Sequence, residues 1–342
     1  MLKEISIMRL VLIALVVVFH AFIIYGGGWM APADFKEIPA YRHIAAWSYS
    51  FMLESFTFIS GYIYLYTCQK KGAGSFKTIV FKKVKRLLFP MLLFGVVYFF
   101  LFCEFKSAAR FIYDIMSGVG HLWYLAMLFW CFMETWIIQR LKIGSLFALA
   151  CISLLAIFCS WMPMPFQIGK SFYYLFFFYI PVFLVDKRDE ISNYIQQHKA
   201  SCLILGWLLF VLVYVIIRYV LQYPRSVDSF SLVGKALGLS WNNLFQLFYS
   251  TVGTLVFYVT CFLVAGTNEI IDKNTRLVEL GSYCFGIYIF QQFILKGLYY
   301  MTPVPIYVGP YLLPWVGVLA ALLISIILAY VVRQTKLGRG LL

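Results

Sequence analysis

Charge is what this sequence has least of. Only 12% of its 342 residues are charged, with 14 acidic side chains against 28 basic ones, whereas a soluble globular chain carries about 25%. No stretch is polar and long enough to build a soluble domain. The longest segments without membrane character cover about 26–45, 68–86 and 223–245. Internal repeats and low-complexity tails are also missing. A nucleic-acid binder needs a basic soluble face, and none is available. No cysteine pair shares metal-ligand spacing with a histidine. Seven of the eight cysteines lie in or at the ends of apolar runs, and Cys68 sits at a span's inner end. They read as small hydrophobes packed between helices. The first apolar run is long and leads to no small-x-small cleavage site, so it is expected to stay in the membrane.

What remains is hydrocarbon. The chain is 63% hydrophobic with a mean hydropathy of +0.86. Apolar runs of roughly 18 residues or more recur throughout, each long enough to cross a ~30 Å hydrocarbon core. A barrel would show alternating segments of about ten residues instead. The pattern predicts an all-α, polytopic transmembrane bundle, one domain over residues 1–342. It has about ten spans, near 5–25, 46–67, 87–103, 121–139, 143–160, 171–186, 201–222, 246–266, 280–300 and 311–332. With the N-terminus inside, 19 of the 28 Lys and Arg fall on inside segments. These include seven in 70–86, three in 187–199 and two in 273–276. That bias predicts cytoplasmic N- and C-termini.

The polar exceptions inside the spans carry the chemistry. "IMRLVLIALVVVFHAFIIY" (7–25) holds Arg9 and His20. Eleven residues at ~100° each bring the two within ~20° on one helix face, ~16 Å apart along the axis. Arg9 alone reads equally as an anchor that snorkels to the interface. His20 lies deep in the span, where an ionisable group is a functional candidate by default, although it can also serve as a hydrogen-bonding helix contact. "SFTFISGYIYLY" (55–66) puts Ser60, Gly61 and Tyr62 in the second span, a pair of small residues that lets helices approach closely. "FKKVKRLLFP" (81–90) is a basic cluster running into Pro90. "GHLWYLAMLF" (120–129) opens the fourth span with His121, Trp123 and Tyr124, and "LGSYCFGIYIFQQFI" (280–294) opens the ninth. Glu54 is a further buried candidate, expected to pair with Arg42, His43 or another helix.

In order and spacing these motifs resemble a bacterial integral-membrane family, acyltransferase family three. It includes O-acetyltransferases of surface polysaccharides, lipopolysaccharide and peptidoglycan. The family's arginine, ten residues and histidine match Arg9 and His20. Its aromatic-x-x-Ser-Gly matches "FTFISGY", its Arg-x-x-Arg before a proline is similar to Lys83–Arg86 before Pro90, and its His-Leu-Trp-aromatic-Leu matches His121–Leu125. Two positions depart. Gln291 stands where a histidine is frequent; it can orient a substrate but not move a proton. Lys83 replaces an arginine and lacks the bidentate fork.

The resemblance implies an O-acyltransferase in the bacterial cytoplasmic membrane, among membrane lipids. It would carry an acyl group, acetyl above all, from acyl-coenzyme A to a hydroxyl of a surface glycan or its lipid-linked precursor. It implies His20, Arg9 and His121 as catalytic and Lys83, Lys85 and Arg86 as donor-binding. Trp123, Tyr124, Ser60, Gln291 and Glu54 are then the substrate-binding candidates. Acyl-coenzyme A is a substrate, and no bound cofactor or metal and no nucleic acid is expected. The residues fit that chemistry. A hydroxyl must lose its proton as it attacks a thioester, histidine is the usual base, and donor phosphates need cations at the cytoplasmic mouth. A polytopic exporter of a glycan or lipid intermediate is the alternative, with the same polar residues lining a pathway.

Overall fold

The structure, a computed structural model, describes residues 3–221, 231–267, 275–336 and 338–341. Among the described residues every regular element is helical. In chain order they are α1 (Lys3–Phe22), α2 (Pro39–Tyr49), α3 (Met52–Lys71), α4 (Phe76–Lys83), α5 (Phe89–Phe102), α6 (Ala108–Ser117), α7 (Trp123–Leu141) and α8 (Ser145–Phe158). There follow α9 (Ile168–Tyr179), α10 (Pro181–Asp186), α11 (Arg188–Gln197), α12 (Lys199–Val215), α13 (Leu232–Thr267), α14 (Thr275–Tyr300), α15 (Val304–Gln334) and the short α16 (Gly338–Leu341).

Among the described residues, seven helical stretches are long and apolar enough to cross a membrane: Lys3–Tyr25, Phe76–Phe102, Gly120–Leu141, Pro165–Asp186, Lys199–Val220, Val233–Gly266 and Val304–Gln334. Each falls on one of the ten expected spans. The other three expectations fall on α3, α8 and α14. At 14 residues α8 is short of the ~20 a span needs. Hydroxyl, amide and charged side chains lower the hydropathy of α3 and α14, including Glu54, Ser55, Thr57 and Ser60 on the first and Gln291, Gln292 and Lys296 on the second.

Some boundaries differ for local reasons. Hydropathy predicts the second span from 46, but α2 closes at Ser50, whose hydroxyl and N–H both bond the Trp47 carbonyl, and α3 starts afresh. The expected outer loop 223–245 is helical from Leu232 onward. There Ser231 Oγ accepts the Gly234 N–H as a cap, and Asn243 and Ser240 tie the helix to Ile157, Ser160 and Trp161. These tertiary bonds override the two glycines that weaken the local helix signal. Residues 223–230 of that loop, and Lys273 of the inner charge cluster, lie outside the described residues.

α1 is the centre of the bundle. Apart from Arg9 and His20 it is apolar from Ile7 onward, and it packs against α2, α3, α13, α14 and α15. A second layer of α3, α7 and α9 closes one flank. There Gly61 lies against the Phe178 carbonyl oxygen so closely that any side chain at 61 would overlap it.

Between α4 and α5 the helix widens into one π-turn, Val84–Leu88. Pro90 in the first turn of α5 has no N–H to return to Arg86, so the ladder breaks there. The basic cluster divides here by its helical spacing: Lys83 and Arg86, three residues apart, share one face and line a cavity, while Lys85 runs beside Gly340 of α16.

Candidate active site

A cavity of about 1340 Å³ opens at the end of the bundle that carries Lys3 and Arg333, larger than the roughly 300–1,000 Å³ that holds a drug-sized ligand. Seven cations line it: Lys3, Arg9, Lys70, Lys83, Arg86, Arg188 and Arg333. Glu4 is the carboxylate among the lining residues, and it is already engaged by Arg188 at 3.2 Å. Arg86 lies within electrostatic reach of both Arg9 and Lys83. Lys83 caps the Phe132 ring at 3.4 Å, and Lys70 and Arg188 flank the Tyr66 ring at 4.5 and 5.6 Å. Like charges held together beside rings, with little acid to offset them, form a focused positive potential suited to an anion of several charges.

The inner end of the cavity is formed by Val16, Tyr124, Leu125 and Tyr288. Two histidines lie directly behind these residues. His20 on α1 is 9% exposed, and its Nδ1 is 2.9 Å from the Val16 carbonyl oxygen. A carbonyl only accepts, so Nδ1 carries the proton and Nε2 keeps its lone pair. His121, from the 3₁₀ turn before α7, donates from Nε2 to the Ile289 carbonyl at 2.9 Å, which leaves the lone pair on Nδ1. That Nδ1 is buried without a hydrogen-bond partner. The Tyr288 hydroxyl donates to the His121 carbonyl oxygen. The two imidazole centroids are 6.4 Å apart. Each of the two bases is thus fixed in one tautomer by a backbone carbonyl, and neither imidazole is itself among the residues that line the cavity.

The other sequence candidates divide. Tyr124 lines the cavity floor and donates to Thr57 Oγ1 at 3.0 Å, because the Thr57 proton is committed to Leu53. Ser60 lines the wall, bonded to the Phe56 carbonyl. Arg9 and His20 share α1, but Arg9 belongs to the basic mouth and not to the histidine pair. Lys85 is absent from the lining. Gln291 is fully buried on α14, three residues beyond Tyr288, and neither polar atom of its amide has a partner. Its neighbour Gln292 adjoins His121 and accepts from the Tyr98 hydroxyl at 3.0 Å. Trp123 points away from the cavity, under the Lys170 ammonium at 4.1 Å.

Glu54 does not pair with Arg42 or His43. Arg42 bonds Glu37 instead, and His43 is exposed. Glu54 Oε1 accepts from Tyr173, Gln246 and Ser250, at 3.1, 3.2 and 3.4 Å, while Oε2 has no partner. Hydroxyls and an amide from α9 and α13 reach this position, and the α2 cations do not.

Sequence reasoning passes over Lys70, Arg188 and Arg333, because each looks like an ordinary inside charge until the helices converge. It also passes over Lys296, which carries a usable signal: a lysine within an apolar span.

No curated protein and no solved structure matches the chain. The sequence profile of the acyltransferase domain of acyltransferase family three matches residues 2–334. With nearly its whole length covered, and its helices built around the paired histidines and the basic cavity, the chain belongs to acyltransferase family three and is a multi-pass membrane acyltransferase.

Proposed function

We propose that the protein transfers an acyl group, most simply acetyl, from cytoplasmic acyl-coenzyme A to a hydroxyl of a surface glycan or its lipid-linked precursor. The carrying observation is that Val16 and Tyr288, which line the cation-rich cavity, hydrogen-bond His20 and His121 of the histidine pair. The basic end then faces the cytoplasm of a bacterium, with both termini inside and α3, α8 and α14 completing ten spans. The nucleotide phosphates of the donor engage Arg9, Lys83 and Arg86, as phosphates engage cationic forks and point charges. The pantetheine arm runs inward along Ser60, Leu128 and Tyr124.

In this reading His20 Nε2 takes the proton of the acceptor hydroxyl as its oxygen attacks the thioester carbonyl carbon. The Val16 carbonyl holds the ring in the tautomer the step requires. The oxyanion that forms needs a donor in a dry site, and the unpartnered Gln291 amide is the nearest candidate along α14. Collapse breaks the carbon–sulfur bond, and the coenzyme A thiolate takes the proton from His20. His121 Nδ1 offers a second acceptor that orients the attacking hydroxyl. No resident cofactor takes part in these steps.

The test is direct. Purified protein in nanodiscs is incubated with radiolabelled acetyl-coenzyme A and glycan fractions of the host. Label should appear in an alkali-labile ester on one fraction. Label that stays on coenzyme A with every fraction, in protein that is folded and binds the donor, would count against acyl transfer.

A further inference from the structure

In the acyl-transfer reading the donor comes from the basic end, where Val16 and Tyr288 of the cavity lining touch the histidines, and the acceptor approaches from the opposite end. The residues gathered there form a second cluster. After α1 the chain turns back at Gly27, whose φ of +76° lies in the left-handed region open to glycine. This return lays Trp29 over His20, with ring centroids 6.0 Å apart and the planes 27° from parallel. The Tyr300 hydroxyl fixes the turn by donating to the Met30 carbonyl at 2.8 Å.

Lys296 of α14 extends into the same place. Its ammonium lies 5.5 Å from the Trp29 ring centre, 5.1 Å from that of Tyr98 and 5.4 Å from that of Phe102. Tyr98 in turn sits 5.8 Å from His121. The ammonium is therefore one aromatic ring away from each catalytic histidine. It is partly buried, and among the described residues no carboxylate approaches within salt-bridge distance. Three ring faces stabilise a cation, but they do not neutralise it. A lysine held this way inside a bundle leaves a full charge free for a ligand.

We infer that Lys296 and Trp29 form the acceptor subsite, and that the acceptor bears an anionic group, a carboxylate or a phosphate, close to the hydroxyl that is acylated. This rests on the acyl-transfer reading above. The ammonium and the His20 imidazole flank the same indole. An anion on Lys296 thus places a neighbouring sugar hydroxyl over the base, and the indole supplies an apolar face for the ring between them. Carboxylate and phosphate share the chemistry that Lys296 recognises. They differ in source: an acidic sugar on one hand, a lipid-linked glycosyl phosphate on the other.

Three amphiphiles with the same alkyl tail and pyranose separate these cases: octyl glucoside, octyl glucuronide and octyl glucosyl phosphate. Initial rates of transfer from labelled acetyl-coenzyme A are measured in nanodiscs. The wild type should favour at least one charged compound over the neutral one by about tenfold or more in kcat/KM, the scale of one charge-assisted hydrogen bond. Which charged compound is preferred assigns the source. Lys296→Gln should bring the charged-to-neutral ratio towards one, and Lys296→Arg should keep it. A ratio needs no correction for the fraction of folded protein. Equal wild-type rates on all three, or a preference that survives Lys296→Gln, would overturn the assignment while leaving acyl transfer intact. Label that reaches a host glycan fraction but none of the three would also overturn the assignment, and label that reaches neither would overturn both readings.

Discussion

His20 and His121 stand 6.4 Å apart on different helices, and each has one ring nitrogen tied to a backbone carbonyl. The carbonyls of Val16 and Ile289 cannot donate, so both rings turn a lone pair away from the backbone. One of these, His121 Nδ1, is buried and unpartnered. An unmet buried acceptor costs ~1–3 kcal/mol. That unmet acceptor lies beside a second base and against the cavity-lining Tyr288, and in the proposed acyl transfer its partner is the acceptor hydroxyl.

His20→Ala should leave an inserted, folded protein whose acyl transfer falls at least ~10²-fold, the lower range for loss of a general base. His20→Gln separates chemistry from structure, since glutamine restores a donor to Val16 but cannot take up a proton near neutral pH. Both variants should be nearly inactive per folded molecule. Near wild-type turnover by His20→Gln would remove the general-base assignment.

How much of this is legible in the sequence follows from the range of each signal. Hydropathy is local, so all seven long apolar helices are readable. The Arg9–His20 spacing is readable because a helix fixes it. The Lys83–Arg86 cluster is readable as a charge, and the i,i+3 spacing of Lys83 and Arg86 already sets Lys85 on another side of the helix. The cavity that Lys83 and Arg86 share with Lys70, Arg188 and Arg333 is built by helices far apart in sequence, and no charge count records it. The closeness of His20 to His121 depends on α1, α7 and α14 converging. No periodicity in any one of them encodes that distance. Glu54 shows the same limit, since its partners arrive from α9 and α13.

Tyr288→Phe should uncouple positioning from binding. The deleted hydroxyl donates to the His121 carbonyl, and the ring still fills the cavity floor. Donor affinity, measured by titration with coenzyme A, should stay within about twofold, whereas kcat drops on the order of tenfold, the scale of one hydrogen bond. A change in affinity with kcat preserved would mean that Tyr288 serves the donor and not His121.

Gly61 is a packing prediction, independent of chemistry. Its Cα lies against the Phe178 carbonyl, so even a methyl group forces α3 and α9 apart. Gly61→Ala should destabilise the protein by ~1–3 kcal/mol, the usual cost of overpacking. It should also lower the midpoint of thermal aggregation followed by fluorescence-detected size exclusion. Gly297→Ala is the control, because a Cβ there meets open space. Equal melting of the two variants would contradict the close approach of α3 and α9.

The basic cluster yields the sharpest test, since two neighbouring residues should behave oppositely. Lys83 and Arg86 line the cavity, while Lys85 lies beside Gly340. Replacing Lys83 and Arg86 together with glutamine removes two cations from the donor's path. Removing a charge-assisted bond to a phosphate costs roughly 1.5–3 kcal/mol, so KM for acyl-coenzyme A should rise at least ~10-fold, with kcat changed far less. Acyl-pantetheine lacks the nucleotide phosphates, and its KM should hardly move in the same variant. Lys85→Gln should leave both KM values as in the wild type. The wild-type affinity for coenzyme A should also fall with added salt, and the double variant should show a shallower dependence, because screened charges no longer contribute. If Lys85→Gln weakens the donor as much as the double variant does, the cluster acts through its summed charge and not through the side chains that line the cavity. If none of the three replacements affects KM, the cluster orients the chain in the membrane and the donor binds elsewhere.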